Sequence, residues 1–297
     1  MTLVPRVVLV TRRTPYEELL ARHATRGQAE FFLKQRAQNL AEVEALHHEV
    51  RAAVARLQAA IPLTYRRNLV LREELDRFLF EPEDTVVVVG QDGLVANLSK
   101  YLNGQPVIGV NPLPRSFDGV LVRHSPDAGC RLLVPTAQAE VRVQERTMVE
   151  ASLDDGQKLS ALNELFMGQR SHQSARYELC FHDQRVSHSS SGIIVATGTG
   201  ATGWARSIQL ERDSGLELPE PVEQSLAFFV REAFPSVSST TELTEGKFGV
   251  SEDLVVTSRM EEGVIFGDGM ESDHLRFEWG VRARVRVAEK RLRLVVS

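Results

Sequence analysis

The chain has 297 residues, 42% of them hydrophobic and 25% charged, so a collagen-like rod, a disordered chain and a coiled coil are all excluded. A formal net charge of -5 gives no general attraction to nucleic acid or to an anionic membrane. Cys130 and Cys180 stand too far apart for a disulfide scaffold or a cysteine-built zinc site, no stretch approaches the ~20 apolar residues of a membrane span, and the N-terminal run MTLVPRVVLVTRRT is too short for a signal-peptide core, which together predict a protein of the reducing cytoplasm.

In chain order, Arg6 to Thr11 (RVVLVT) predicts a short buried strand. From about Gln28 to Ile61, residues Leu40, Val43, Val50, Val54, Leu57 and Ile61 recur at spacings of three, four and seven. That is one stripe of a long amphipathic helix, packed on a sheet or on a partner subunit. Asn68 to Leu71 reads as a second strand and Arg72 to Phe80 as a short helix. Thr85 to Val89 (TVVVV) wants burial on both faces, as in the middle of a parallel sheet. A helix from about Leu94 to Leu102 and a strand from Pro106 to Val110 complete an α/β pattern.

After about Asp118 short alternating runs take over, at Arg131 to Pro135, Glu140 to Val149, Ala175 to Phe181, Val186 to Val195, Leu254 to Ser258 and Leu275 to Val296. Helical spacing returns at Val222 to Glu232, and Asp154-Asp155-Gly156 reads as a hairpin turn. The run Val281 to Val296 alternates apolar residues with arginine, without the aromatics of a nucleic-acid stripe. The fold class expected is an α/β N-terminal domain with a mainly parallel sheet, over 1–122, followed by a mostly antiparallel all-β domain over 123–297. The C-terminal segment is free to pack back on the first domain.

Two loops carry the chemistry. Gly90-Gln91-Asp92-Gly93 follows the valine strand and precedes a helix, the place where open α/β sheets hold ligands. Its glycines, Gly90 and Gly93, permit positive φ and close approach of backbone to a phosphate, and Asp92 can take a proton from a sugar hydroxyl. A plain strand-to-helix turn would have the same composition. Thr197-Gly198-Thr199-Gly200 follows the strand Gly192 to Ala196 and precedes a helix starting near Ala201. Free amides at a helix start attract anions, and the hydroxyls of Thr197, Thr199 and Thr202 add donors. No GK[ST] follows, so this is not a Walker loop. The spacings of His172, His182 and His188 fit no metal motif. Trp204 could stack on a base or pack internally, and Arg115 could reach a phosphate.

These two loops, in this order, resemble those of the NAD kinase family, which carries GGDG after a buried strand, then an Asn-Glu or Asn-Asp pair, then a TPTGSTAY-like segment. Ala161-Leu162-Asn163-Glu164 stands in the place of that pair. The stretches Val7 to Glu17, Pro106 to Gly119, Ala161 to Leu179 and Ser190 to Trp204 are most similar to the branch that includes the mitochondrial NAD kinase. The resemblance implies the fold shared by NAD kinases and diacylglycerol kinases. It also implies transfer of the γ-phosphoryl group of ATP, with Mg²⁺, to the 2′-hydroxyl of the adenosine ribose of NAD. Asp92 would be the base, and Asn163 and Glu164 would hold the ribose or adenine of NAD. Thr197, Thr199 and Gly200 would line the nucleotide site, Asn111 would end a strand near it, and Asp268 would stand in a later Asp-Gly turn. No protein-held metal site is implied, and the chain is expected as a homodimer or homotetramer with no nucleic-acid or membrane partner.

In the first loop two positions depart from the family pattern. Gln91 replaces the second glycine, where it is expected to crowd the phosphates or to meet an unfavourable φ, and Leu94 replaces the usual threonine. A protein of this fold that binds NAD or another nucleotide without turnover therefore stays open. So does a lipid or sugar kinase, because the DG-containing loop is shared.

Overall fold

The β-branched runs become a parallel sheet. Arg6–Thr11 (β1), Arg66–Leu71 (β2), Asp84–Val89 (β3) and Pro106–Val110 (β4) pair in parallel, in the order β2-β1-β3-β4. The structure is a computed structural model that describes residues 4–237 and 239–297; the first three residues of the N-terminal apolar run lie outside the described residues. Beyond β4 the sheet continues with the C-terminal strand Leu292–Val295 and then Val143–Arg146 (β5).

Helices Pro15–His23 (α1), Arg26–Lys34 (α2) and Leu40–Ala60 (α3) link β1 to β2. The apolar stripe of α3 supplies Ala53, Val54 and Leu57 to a core that contains Val7, Leu9, Val87, Val89 and Ile108. The C-terminal half of the stripe is therefore spent on the chain's own sheet, and Leu40 at its start packs with Ala29 and Leu33 of α2. The continuous helix expected from Gln28 is two helices, because Asn39 caps α3 by accepting from the Ala41 amide. Between β2 and β3 only Arg72–Glu74 is helical, as a single 3₁₀ turn. The alternate residues Val8, Val10, Val86 and Val88 are also fully buried, as a parallel sheet covered on both faces requires. Helix Asp92–Ser99 (α4) links β3 to β4 and buries every residue from Leu94 to Ser99.

The chain divides into two units. One comprises the residues up to Gln144 together with Arg293–Ser297, and the other Glu145–Leu292. The first reaches past the expected limit of 122 because Arg131 to Pro135 is not a strand. It lies in helix Pro126–Ala137 (α5), capped by Ser125 and started by Pro126, with Leu133 in the core of the first sheet.

The second unit holds two six-stranded antiparallel sheets. One runs Gln184–Ser190, Ala175–Phe181, Leu254–Ser258, Arg282–Val287, Val149–Leu153, Lys158–Ala161; the other runs Glu245–Gly249, Ser225–Val230, Ile193–Ala196, Glu164–Gln169, Gly263–Gly267, His274–Arg276. Tyr177, Leu179, Val285, Ile193, Val195 and Phe228 meet in one core between them. The helix expected at Val222 to Glu232 is instead the strand Ser225–Val230. Its residues serve two faces: Leu226, Phe228 and Val230 face the sandwich core, while Ala227 and Phe229 pack with Ala205 and Ile208 of helix Trp204–Glu211 (α6). A run buried on both sides loses its alternation, so its periodicity could not distinguish strand from helix. Arg282, Arg284 and Arg286 lie on the outer face of their strand, where Arg284 pairs with Asp253 and Arg286 with Glu150.

Candidate functional site

In the first unit, β1 and β3 are adjacent and their connections leave in opposite directions along the sheet, β1 toward β2 and β3 toward β4. This is a topological switch point, where ligands of open α/β folds bind at the carboxyl ends of the strands. Three segments follow those ends: Arg12 to Pro15 after β1, Gly90 to Gln91 after β3, and Asn111 to Leu113 after β4. Thr11 Oγ1 donates to the Val89 carbonyl (3.3 Å), and the Gly90 amide donates to Val110 O (3.1 Å), so the strand ends are tied together.

Asp92 is the first residue of α4, favourably placed for a carboxylate. Its Oδ1 accepts from the amides of Leu121 (2.9 Å) and Val122 (2.9 Å), and Oδ2 accepts from Val120 (3.0 Å). It therefore staples the 120–122 loop to the start of α4. Asn111 is buried, with Nδ2 donating to Phe117 O and Oδ1 accepting from the Leu113 amide, both at 2.9 Å, so its amide shapes the 111–117 loop. Arg115 is exposed in the same loop.

In the second unit three motifs interlock. Asp268, at φ +53°, accepts from the amides of Leu162 (2.9 Å) and Asn163 (2.7 Å) and gives its own amide to Glu164 O (3.1 Å). Thr197 donates its hydroxyl to Leu162 O (2.5 Å) and its amide to Asn163 O (2.9 Å). The same hydroxyl accepts from the amides of Thr199 (3.1 Å) and Gly200 (3.3 Å). A Cβ at Gly200 would stand 2.2 Å from Asn163 O, and one at Gly198 2.0 Å from Glu220 O, so neither position tolerates a side chain. Thr197 is fully buried and spends its hydroxyl on the turn, whereas Thr199 Oγ1 has no hydrogen-bond partner among the described residues.

What this knot presents is Glu164. Burial first, and then the negative charge of Asp268, push its carboxyl up to about 7, so near neutral pH it is divided between acid and carboxylate. Such a group can accept from a ribose hydroxyl or donate to a ligand oxygen.

In sequence the chain is similar to the NAD kinase of Chlorobaculum tepidum, 28% identical over 127 residues, and to that of Marinomonas sp. (strain MWYL1), 34% identical over 132 residues. Each match covers 42% of this chain and 44% of the relative, so the chain matches less than half the length of these curated relatives. No family model matches the chain. In structure it superposes on an NAD kinase from Archaeoglobus fulgidus in complex with ATP, with a TM-score of 0.58 and 18% identity over 98% of this chain and 93% of that one. It also superposes on yeast NADH kinase complexed with NADH, with a TM-score of 0.59 and 13% identity over 100% of this chain and 84% of that one. The chain is related to the NAD kinases and shares their fold.

On that fold, the two positions that depart from the NAD kinase pattern are accommodated without strain. Gln91 has φ -104° and ψ 163°, ordinary extended values, and its exposed side chain accepts from Arg12 Nη2 (3.3 Å). The unfavourable φ expected there is absent. Gly90 and Gly93 do not have positive φ either, and a Cβ on Gly93 would meet nothing within 4 Å. Their value is the space they leave and not the backbone they permit. Leu94 is buried, and a Cβ on Gly90 would meet its Cδ2 at 3.2 Å, so the leucine packs beneath the loop where the family has a hydroxyl.

Trp204 packs parallel to Phe166 (6.0 Å between centroids, 7°), with Arg231 over its ring at 4.7 Å. His182 bonds Glu252 and His188 bonds Thr240 O, and no group of three metal-ligating side chains exists among the described residues. Sequence reasoning did not single out Arg12, Arg13 and His47, which line a cavity of about 320 Å³ at the switch point. The signal was the pair of arginines directly after a buried strand.

Proposed function

We propose that this chain is an NAD kinase-like phosphotransferase that moves the γ-phosphoryl group of ATP to the 2′-hydroxyl of the adenosine ribose of NAD, giving NADP. The observation that carries this reading is the convergence, in the second unit, of the Asn163-Glu164 turn, the Thr-Gly-Thr-Gly turn and the Asp268 turn on one place. Turns tied to one another by hydrogen bonds form a preorganised surface, and preorganisation is what phosphoryl transfer needs, since there is little covalent chemistry for the protein to do.

In this reading Asn163 and Glu164 hold the ribose or adenine, and Thr199 and Gly200 line the nucleotide. Thr197 and Asp268 hold the turns that carry them, and Asn111 shapes the loop after β4. Asp92 accepts the proton of the attacking hydroxyl through the one lone pair, on Oδ2, that its three amide partners leave free. Mg²⁺ fits as an ion brought by the triphosphate: magnesium keeps several waters and is usually held by substrate phosphates with one or two carboxylates, and the described residues hold no larger cluster. The setting is a cytoplasm in which both cysteines remain thiols, as they are here, and the assembly is a homodimer or homotetramer.

A coupled assay for NADP with NAD, ATP and Mg²⁺ tests the reading. Steady NADP formation is the expected result, and its absence across ATP, other nucleoside triphosphates and polyphosphate would overturn it. The second reading, a nucleotide-binding protein without turnover, rests on the three amides that already occupy Asp92. Tight NAD binding with no NADP formed would select it.

A further inference from the structure

A separate cavity, of about 340 Å³, lies in the second unit at the edge of its first sheet. Gln184–Ser190 is an edge strand of that sheet and pairs with Ala175–Phe181, with Ser189 opposite Arg176, His188 opposite Tyr177 and Ser187 opposite Glu178. Strand alternation therefore puts Arg176, Glu178, Ser187 and Ser189 on one face, while Tyr177 turns to the sandwich core. The strand Glu164–Gln169 runs from the Asn163-Glu164 turn to the loop that carries Ser174, a residue of the cavity wall. The cavity thus stands at the far end of the sandwich from the proposed NAD-holding turns.

Its polar groups are of one kind. No aspartate or glutamate lines it, in a chain whose net charge is -5. Arg259 follows Leu254–Ser258, and its amide donates to Arg176 O (2.9 Å), which sets the two arginines side by side in the wall. Neighbouring like charges cost stability unless an anion lies with them. The carboxylate on the same face, Glu178, is shared by Arg185 (3.0 Å) and Arg259 (3.3 Å). Arg176 is exposed, and its guanidinium has no hydrogen bond or ion pair among the described residues. The hydroxyls of Ser174, Ser187 and Ser189 are equally unspent among those residues. Free guanidinium and hydroxyl donors around one cavity select an oxyanion.

His188 narrows the choice. It lines the same cavity and is 2% exposed. Its Nδ1 donates to Thr240 O (3.1 Å), since a carbonyl can only accept, and Nε2 is buried with no hydrogen-bond partner among the described residues. Burial pushes the ring below the usual histidine range, against the pull of the Thr240 and Leu243 carbonyls, and so keeps it neutral. Nε2 is then a buried lone pair without a proton to accept, a costly state that a ligand O–H would relieve.

We infer that this cavity binds a phosphate group, free or as a monoester, with its oxygens on Arg176, Arg259, Ser187 and Ser189 and a P–O–H turned toward His188. A phosphate monoester has its second pKa at about 6, so near neutral pH a part of it carries that hydrogen. Sulfate has none. The site does not depend on the phosphotransferase reading, and NADP formation is no part of its test.

The test is hydrogen–deuterium exchange of the intact chain at fixed ionic strength, with inorganic phosphate, glycerol 3-phosphate or sodium sulfate at up to about 10 mM. Phosphate or its ester should slow exchange in peptides spanning Ser174 to Glu178 and Ser187 to Ser191, and sulfate should need at least about a threefold higher concentration for the same effect. Protection by both phosphates means that the group alone is recognised, and protection by glycerol 3-phosphate alone means that the natural ligand is an ester. Arg176→Ala, at an exposed and unpaired position, should weaken the phosphate at least about tenfold. His188→Phe should bring phosphate and sulfate level; should that buried variant fail to fold, the sulfate comparison in the wild type decides the same point. No protection at these strands by either phosphate, phosphate binding unmoved by Arg176→Ala, or sulfate as effective as phosphate would each overturn the inference.

Discussion

Glu164 sits half-buried with its backbone held by Asp268, and the folded chain keeps its proton up to about 7, against 4.5 for the free side chain. A folded-state value raised above the unfolded one means that the group's contribution to stability is complete below about 4.5 and is lost as pH rises through about 7. The ceiling on that contribution is about 3 kcal/mol, reduced by solvent reaching the half-buried group. The ligand-free protein should therefore lose stability between about pH 5 and about pH 8, and Glu164→Gln should remove that part of the slope; parallel denaturant titrations of the two proteins measure it. A NAD hydroxyl that donates to this carboxylate favours its charged form, so NAD affinity should rise across the same interval in the wild type and stay flat in Glu164→Gln. An equal pH dependence in both proteins would show that Glu164 does not touch the ligand.

Asp92 is the other residue on which the reading turns, and its geometry separates two roles. As a base it is worth roughly 10²–10⁴-fold in rate. As a staple it holds three amides, and Asp92→Asn would leave at least one of them facing an N–H, at a cost of about 1–3 kcal/mol. The expected outcome is a kcat lowered by at least about a hundredfold, with the affinity for NAD nearly unchanged and a modest fall in Tm. A fall in Tm with kcat intact would make Asp92 a staple only. The bare Asp in a Gly-x-Asp-Gly loop was legible in the sequence, but its amide partners were not, because they lie 28 to 30 residues further along.

At the scale of elements, the two glycine-rich turns resemble each other in sequence and differ in construction. In Thr-Gly-Thr-Gly the glycines are required by backbone pressed against backbone, so Gly200→Ala must push Asn163 away or distort the turn. A loss of about 1–3 kcal/mol and of NAD binding is expected, read by thermal unfolding and titration. In Gly-Gln-Asp-Gly the position of Gly93 is open and helical, so Gly93→Ala should raise stability by about 0.5–1 kcal/mol. If a donor phosphate lies against that glycine, the same change should weaken ATP. Stability raised with ATP affinity untouched would mean that no ligand approaches Gly93. The same scale explains which elements could be read. Runs with one buried face, such as α3 and Leu254–Ser258, showed their period in the sequence. Ser225–Val230 did not, being buried on both faces, and α5 was masked by an interior Pro135 that its last turn tolerates.

Over the whole molecule, the fold class was legible because the change from α/β alternation to short alternating strands is a matter of composition and period. The order of the strands was not, because it rests on distant pairings: β1 with β3, the C-terminal Leu292–Val295 with β4, and Asp268 with amides more than a hundred residues before it. The same arrangement makes a prediction about ligands. The cavity at the switch point is assembled from the ends of β1, β3 and β4, and the proposed NAD-holding turns from residues 162–164, 197–200 and 268. Backbone amides in those turns exchange with solvent only when local structure opens, and a ligand that binds the closed form slows exchange by its own binding free energy. At a ligand concentration of about a hundred times Kd, the slowing corresponds to about 2.7 kcal/mol, roughly a hundredfold. Hydrogen–deuterium exchange with ATP alone should protect peptides spanning Arg12 to Thr14 and Gly90 to Leu94. NAD alone should protect those spanning Leu162 to Glu164 and Thr197 to Ala201. Protection by ATP confined to the second pair would place the donor on the Thr-Gly-Thr-Gly turn and away from the loops that follow β1 and β3.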